Sequence, residues 1–585
     1  MIKQINKAQS ALKNLNIEKT IIIFLMLQPL FDMYMTIIGE KLDIFGFSIV
    51  TLIRMITILI LTFMILKGQI KRDNKPIIYF GIYSFILIIY TIMHHFSIND
   101  YYIENNLYSF VTEALYLIRL VLPILFMYTI YKAKINKKYI RNTFMVISGT
   151  IAITIVLSNL FKISFIAYSL ENQYIKDNIL GWFTGAYEKF NHKLLTSRGW
   201  FTGANEIGSL LALLFPITIY NSIKTNKWYA HFITFIQMIA MIMIGSRIAS
   251  LGWIIVYAIM ILIYIFFVFI KKELKFNYKL CFLLILIYTF GIVLVQYSPV
   301  LKNTPTTKYE SSYIQNIAKE EYIVNHKYLE EYIKGEIPYT DYIEKIKQKE
   351  VKVSESFDME QLEKAVEAGN TEEIHNILIS EYVLQNFTSH HIGNTYIKKT
   401  YPYYDDPDFW LQTFEMPLNI KGNGREMEKT IAKRLKERND NYIQNTLFGM
   451  GDTPLKSRDF VIESDFIAHY YNLGIIGVII FLIPYVALLS ISGIIMLKNY
   501  KEKFTFENVT YAFAICLALG FGVLGGHVFD EYITSFIIVF ILITLFKEVL
   551  NKVPTIAITN ESIYINNKNT FKTRKKTKKI NSKNL

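Results

Sequence analysis

The sequence predicts an all-α membrane protein: a polytopic bundle of about twelve transmembrane helices carrying one large, mainly helical extracellular loop. Three observations predict it. Twelve long apolar stretches cross the 585-residue chain, each near the roughly 20 residues that span a hydrocarbon core as a helix. Apolar residues make up 52% of the chain and mean hydropathy is +0.29, and a soluble enzyme of this length would not hold so many apolar runs. Lysine and arginine gather in alternate connections, the pattern expected of short cytoplasmic loops.

In order, the stretches are 19–38, 46–66, 76–95, 110–131, 140–161, 203–222, 228–245, 247–270, 279–298, 468–497, 508–527 and 532–549; the region 203–245 also admits broken half-helices. The start resembles a signal sequence, but Asp32 follows the apolar run and no small-residue cleavage site is evident, so it reads as an uncleaved first helix. Basic connections comprise Lys3, Lys7, Lys13 and Lys19, then Lys67–Lys75, Lys132–Arg141, Lys224 with Lys227, Lys271–Lys279, Lys498–Lys503 and Arg574-Lys575-Lys576. The opposite connections 39–45, 96–109 and 528–531 share one lysine. Both termini are therefore expected in the cytoplasm, which an even number of spans satisfies.

The expected organisation is nine membrane helices in 1–298, the extracellular loop in 299–467, three further helices in 468–549 and a basic cytoplasmic tail in 550–585. The net charge of +14 reads as a topology and lipid-surface signal. No nucleic-acid recognition motif accompanies it, so nucleic acid is not an expected partner. The Lys/Asn/Thr-rich tail Asn566–Leu585 is expected to be disordered against anionic lipid. Cys281 and Cys516 fall inside predicted helices and form neither a disulfide framework nor a metal site. In the loop, Tyr328–Ile333 and Met359–Ala368 read as short amphipathic helices, and Glu426–Asn445 as a basic one suited to the membrane surface.

Ionisable side chains inside apolar helices are costly and point to function. Here Asp32, Arg54, Glu113, Arg119, Arg198, Glu206, Arg247, Glu463 and Asp465 all fall toward the outer ends, with His527 and Asp530-Glu531 in the last outer turn. Arg198 opens Arg198-Gly199-Trp200-Phe201-Thr202-Gly203-Ala204-Asn205-Glu206, and Arg247 sits in Gly245-Ser246-Arg247. After the loop come Gly449-Met450-Gly451, Glu463-Ser464-Asp465 and Gly474-Ile475-Ile476-Gly477.

In order, spacing and common sidedness these elements resemble the superfamily of O-antigen ligases and O-antigen polymerases, polytopic bacterial membrane glycosyltransferases. The resemblance covers most of the membrane part. Ala204 stands where a proline commonly precedes the asparagine, and Glu463 where the ligases usually place a histidine. The second difference and the Gln28-Pro29-Leu30-Phe31-Asp32 opening lean toward the polymerase-like members of Gram-positive bacteria.

The resemblance implies an inverting, metal-independent transferase with no cofactor, whose donor is an oligosaccharide on undecaprenyl pyrophosphate at the outer leaflet of the cytoplasmic membrane. Its partners would be that donor, membrane lipid and polysaccharide-assembly proteins. Two arginines suit a pyrophosphate, through paired charge-assisted hydrogen bonds; Arg198 and Arg247 are the candidates. The acceptor hydroxyl loses a proton on attack, which Glu463 or its neighbour Asp465 would take. Arg54 and Arg119, deeper in their helices, either touch phosphate or pair with Asp32 and Glu113. Asp32, Asn205, Glu206, His527 and Asp530 complete the expected lining, with capping a competing role for Asn205 and hydrogen bonding for His527.

The remaining motifs are weaker. Asp405-Asp406-Pro407-Asp408 reads as an acidic turn and not a metal-binding triplet, and His390-His391 lacks the partners of a zinc site. Tyr403, Tyr404, Phe409 and Trp410 either stack on sugar or pack as a lid. The alternatives to a polymerase are a ligase for finished glycan and, from another class, a flippase or transporter of lipid-linked oligosaccharide. A transporter should distribute charges through both halves of the membrane, often in repeated halves.

Overall fold

A computed structural model describes residues 16–38, 47–70, 75–99, 110–168, 172–302, 331–348, 357–387, 400–438, 442–452 and 462–551, with a few isolated positions and short strands besides. The tail Asn566–Leu585 and residues 329–330 of the first expected loop helix lie outside the described residues, as do His391 and the lysines before Asn16.

Among the described residues ten helices are long and apolar enough to cross a membrane, and a bent pair would make an eleventh if it is one span. That pair is α1 (Ile17–Met26) and α2 (Gln28–Ile38), joined at 42°. There follow α3 (Ile49–Ile70), α4 (Lys75–Asn99), α5 (Phe110–Lys132), α6 (Lys137–Leu160) and α7 (Ala204–Thr225). The next, α8 (Trp228–Ile244), is 17 residues long, short of the roughly 20 that a straight span needs. Then come α9 (Gly252–Ile265), entered through the single turn Arg247–Ser250, and α10 (Tyr278–Gln296). Neither α7 nor α8 is broken; α7 runs through Pro216 as one helix.

Two helices form the axis. Every residue of α7 from Ile207 to Ile223 is buried, as is every residue from Tyr532 to Leu545 of the last helix. A helix apolar on all sides can be satisfied only by neighbours all round. The peripheral helices α3, α4, α9 and α10 instead expose Phe63, Phe85, Leu262 and Phe282. Such wide apolar surfaces suit lipid and not water.

The loop builds its own core. Its helices are α11 (Tyr339–Lys347), α12 (Met359–Glu367), α13 (Thr371–Asn386), α14 (Pro407–Phe414), α15 (Gly424–Glu437) and α16 (Tyr442–Phe448). Asp358, Asn370, Asp406 and Asn423 cap four of them by accepting backbone N–H groups of the first turn. Leu362, Leu378, Phe409, Trp410, Met427 and Ile431 pack together in one cluster. The apolar face of α15 therefore meets the loop's own core, where the sequence suggested a membrane surface. Asp406 lies against Arg434 and Arg438, which makes the acidic segment an ion-paired turn.

The chain returns through α17 (Asp465–Phe481), α18 (Ile483–Lys498), α19 (Phe506–Leu524) and α20 (Tyr532–Leu550). Opposite the loop, Lys547 donates to the Ile130 and Ala133 carbonyls and the Asn136 N–H donates to Glu18. The Phe506 N–H donates to Glu273 at the same end. The lysine-bearing connections thus share one end and the loop occupies the other.

One feature locks loop to bundle. Helix α17 breaks at Gly474, which takes φ +69° and ψ −179°. Into the break comes the Gly449–Gly451 segment, whose Met450 and Gly451 N–H groups donate to the carbonyls of Tyr471 and Asn472 at 2.8 and 2.9 Å. A Cβ on Gly449 would lie 2.2 Å from the Asn472 carbonyl oxygen, and one on Gly474 2.5 Å from the Gly449 nitrogen. Only glycines allow this back-to-back crossing, and both carry the positive φ that glycine tolerates.

Candidate functional site

The charged side chains form two neighbouring groups at the loop end. The first is buried. Glu113 on α5 meets His94 Nε2 at 2.8 Å and accepts the Asp452 N–H at 3.1 Å, while His94 Nδ1 donates to the Phe448 carbonyl. Arg119, one turn and a half further along α5, is faced by Glu531, Asp530 and Asp452. The opposing charges it feels most therefore come from distant elements and not from Glu113, and no ion pair closes on it among the described residues. Arg54 donates to Gln28 Oε1 at 2.9 Å and stands over the rings of Phe31 and Tyr532, with Asp32 the opposing charge that acts on it most.

Asp465 belongs to this group. It is 2% exposed, and its carboxylate accepts the N–H groups of His527, Val528 (2.8 Å) and Phe529 (3.1 Å). It thereby holds the α19–α20 turn, in which His527 has φ +57°. Within the turn His527 Nδ1 donates to Asp530 Oδ2 at 3.0 Å. Burial disfavours charge on His527, yet Asp530, backed by Glu206 and Asp465, holds the imidazolium up at about 10. Burial also pushes Asp452 and Glu531 up to about 7, while the His527 cation overcomes burial and keeps Asp530 below the usual carboxylate range.

Asp465, His527 and Asp530 bring three potential ligand atoms within 4.8 Å of one another. In this structure the Asp465 oxygens accept three backbone N–H groups and His527 Nδ1 is bonded to Asp530.

The second group surrounds open space. A cavity of 880 Å³ is lined by Asn205, Arg247, Arg425, Glu428 and Glu463, with Tyr168, His192 and Lys193 on its wall. Arg247 is exposed at the start of its helical turn, whose N-cap is the Ser246 hydroxyl. It makes no hydrogen bond or ion pair among the described residues. Across the cavity Glu463 is ion-paired with Arg425 of α15, and Arg425 also donates to the Leu524 carbonyl that ends α19. The charges of Arg247, Glu463 and Arg425 all reach the Tyr168 hydroxyl.

A smaller cavity of 540 Å³ shares Tyr168 and Asn205 with the first and adds Arg198, Asn172, Thr202 and Glu206. Arg198 is 6% exposed; it donates to the Thr202 carbonyl at 2.5 Å and to Asn172 Oδ1 at 3.0 Å. Asp32 accepts the N–H and hydroxyl of the same Thr202 at 3.1 and 3.0 Å. Arg198 and Asp32 thus shape one wall, while Arg198 and Arg247 occupy different cavities. Gly203, not Asn205, takes the N-cap position of α7, which leaves Asn205 facing both cavities.

Arrangement by arrangement, the structure joins Arg247, Glu463 and Asn205 in one cavity, and separates Asp465, His527, Asp530, Arg54 and Arg119 into the buried group. Sequence reasoning missed Arg425, Glu428, His192 and Tyr168. For Arg425 a signal existed: Asn423-Gly424 is a helix start, and the polar face beginning there carries the arginine.

A family model described as "O-antigen ligase like membrane protein" matches residues 14–552. No curated protein and no solved structure matches the chain.

Proposed function

Because this chain belongs to the family of O-antigen ligase like membrane proteins, we propose that it joins undecaprenyl-pyrophosphate-linked oligosaccharide repeats into a surface or cell-wall polysaccharide at the outer face of the cytoplasmic membrane. The observation that carries this reading is the 880 Å³ cavity whose lining holds both Arg247, unpaired among the described residues, and a carboxylate, Glu463. A pyrophosphate leaving group needs stabilised charge more than it needs a proton, and a guanidinium supplies that with two parallel donors. The acceptor sugar hydroxyl attacks the anomeric carbon, the bond from that carbon to phosphate oxygen breaks, and the electron pair leaves with undecaprenyl pyrophosphate. The hydroxyl proton passes to Glu463. Attack from the face opposite the leaving group inverts the anomeric centre.

In this reading Arg247 holds the pyrophosphate, while Arg198 and Asp32 order the Thr202 wall beside Asn205. Asp465 is a positioning residue, since its carboxylate is engaged by the His527–Phe529 backbone. A transporter is less well supported. Among the described residues, the ionisable side chains buried in the bundle (Arg54, His94, Glu113, Arg198, Asp465 and His469) lie at the loop end, not along a path through the membrane.

The test is the glycan of a deletion strain. Single repeats retained on carrier with long chains lost is the expected result. Long chains stranded on the lipid carrier would make the protein a ligase, and repeats trapped on the inner leaflet with the outer-face glycan lost would make it a flippase.

A further inference from the structure

Glu463 is assigned to accept a proton, yet its carboxylate is already paired with Arg425. We propose that Arg425 is a second donor-binding arginine, and that it exchanges Glu463 for the donor's pyrophosphate, so that the base is uncovered only once the donor is seated. This rests on the reading of the cavity as the donor site.

Four observations support the exchange. The Arg425 and Glu463 side chains are 42% and 40% exposed, and an ion pair so open to water contributes little and is readily replaced. The cavity is lined by two arginines, Arg247 from the bundle and Arg425 from the loop, one for each phosphate of a pyrophosphate. Arg198 is not that second group, because it is 6% exposed and lines the adjoining cavity instead. Helix α15 is rooted in the loop core through Met427, Ile431 and Ala432, so the guanidinium moves on a fixed base.

Glu463 stays in place when its partner leaves. Its N–H donates to Glu428 Oε2 at 3.0 Å. Its carbonyl lies against Gly526 so closely that a Cβ there would be 1.3 Å away. The exchange therefore changes the charge beside the carboxylate while the Glu463 backbone stays anchored. Proton transfer then follows as described above: the acceptor oxygen bonds to the anomeric carbon, the phosphate oxygen leaves with its electron pair to Arg247 and Arg425, and the proton goes to Glu463.

The experiment is binding of undecaprenyl pyrophosphate to the purified full-length protein, with inorganic pyrophosphate as a parallel probe. Arg425→Ala should weaken lipid pyrophosphate binding by about tenfold, the scale of a lost charge-assisted hydrogen bond, and Arg425→Lys should restore part of it. Glu463→Gln should bind the lipid more tightly while losing turnover, because the competitor for Arg425 is gone. A gain in affinity cannot come from misfolding. Unchanged binding in Arg425→Ala, or weakened binding in Glu463→Gln, would overturn the exchange alone. Failure of the unmodified protein to bind, or equal affinity for inorganic pyrophosphate, would overturn the donor-site reading and the exchange with it.

Discussion

Arg119 and Arg247 stand at the same end of the bundle, in opposite circumstances. Arg119 is half-buried in the field of Glu531, Asp530 and Asp452, within a group whose His527, Asp465 and Glu113 are each hydrogen-bonded in turn. Arg247 is exposed on a cavity, with no partner of its own among the described residues and a weakly held pair across from it. A buried ion needs its partners to offset desolvation, so the first group is committed to holding helices together. An exposed cation beside empty space is available to a ligand. The difference separates charges that build the fold from charges that can do chemistry, although both sets look alike along the chain.

The sharpest way to break that separation is Arg247→Ala. Turnover should fall by about 10²-fold or more, the scale on which a transition-state charge stabiliser acts, with thermal stability unchanged. Arg247→Lys should recover part of it, since lysine keeps the charge and loses the planar fork. A large drop in melting temperature for Arg247→Ala would instead move Arg247 into the structural group.

Asp465→Asn probes the other side. One oxygen becomes an amide, so at least one buried N–H of the 527–529 turn loses its acceptor. The cost should be about 1–3 kcal/mol, read as a lower unfolding temperature in detergent. Turnover of the folded fraction should stay closer to normal than in Glu463→Gln. The reverse ranking would make Asp465 the base.

A further test of the buried group is pH. The folded protein holds His527 at about 10, above its ordinary value of about 6.5. A raised value contributes stability that is full below about 6.5 and is lost as pH climbs through about 10. The unfolding temperature should therefore decline between neutral pH and pH 10, and His527→Asn should flatten the decline. Identical slopes in the two proteins would remove His527 from the network.

Much of this was readable in the chain. Helix positions followed from apolar run length, and the sidedness of Asp32, Arg198, Arg247 and Glu463 from the alternation of lysines. What could not be read was partnership. Nothing local says that Asp465 faces a backbone 62 residues further on, or that the charge of Glu531 acts on Arg119 more than that of Glu113 on its own helix. Arg425 was passed over because amphipathic periodicity describes where α15 buries its apolar face and not what its first polar residue meets. The length of α8 and the bend between α1 and α2 also lay beyond hydropathy, which counts residues and is blind to direction.

The crossing of Gly449 over Gly474 bears on the order in which the molecule can be assembled. At the break in α17 the carbonyls of Tyr471, Asn472 and Leu473 are turned out of the helix, and their donors are the Met450 and Gly451 N–H groups and the Tyr90 hydroxyl. Within a bilayer, carbonyls left without donors cost several kcal/mol each. Helix α17 therefore cannot settle as a span in its own right, and must await a piece of the loop that left the ribosome before it. During synthesis the returning loop is a template for the helix that follows, so an error in loop folding would be felt first as a failure of membrane insertion.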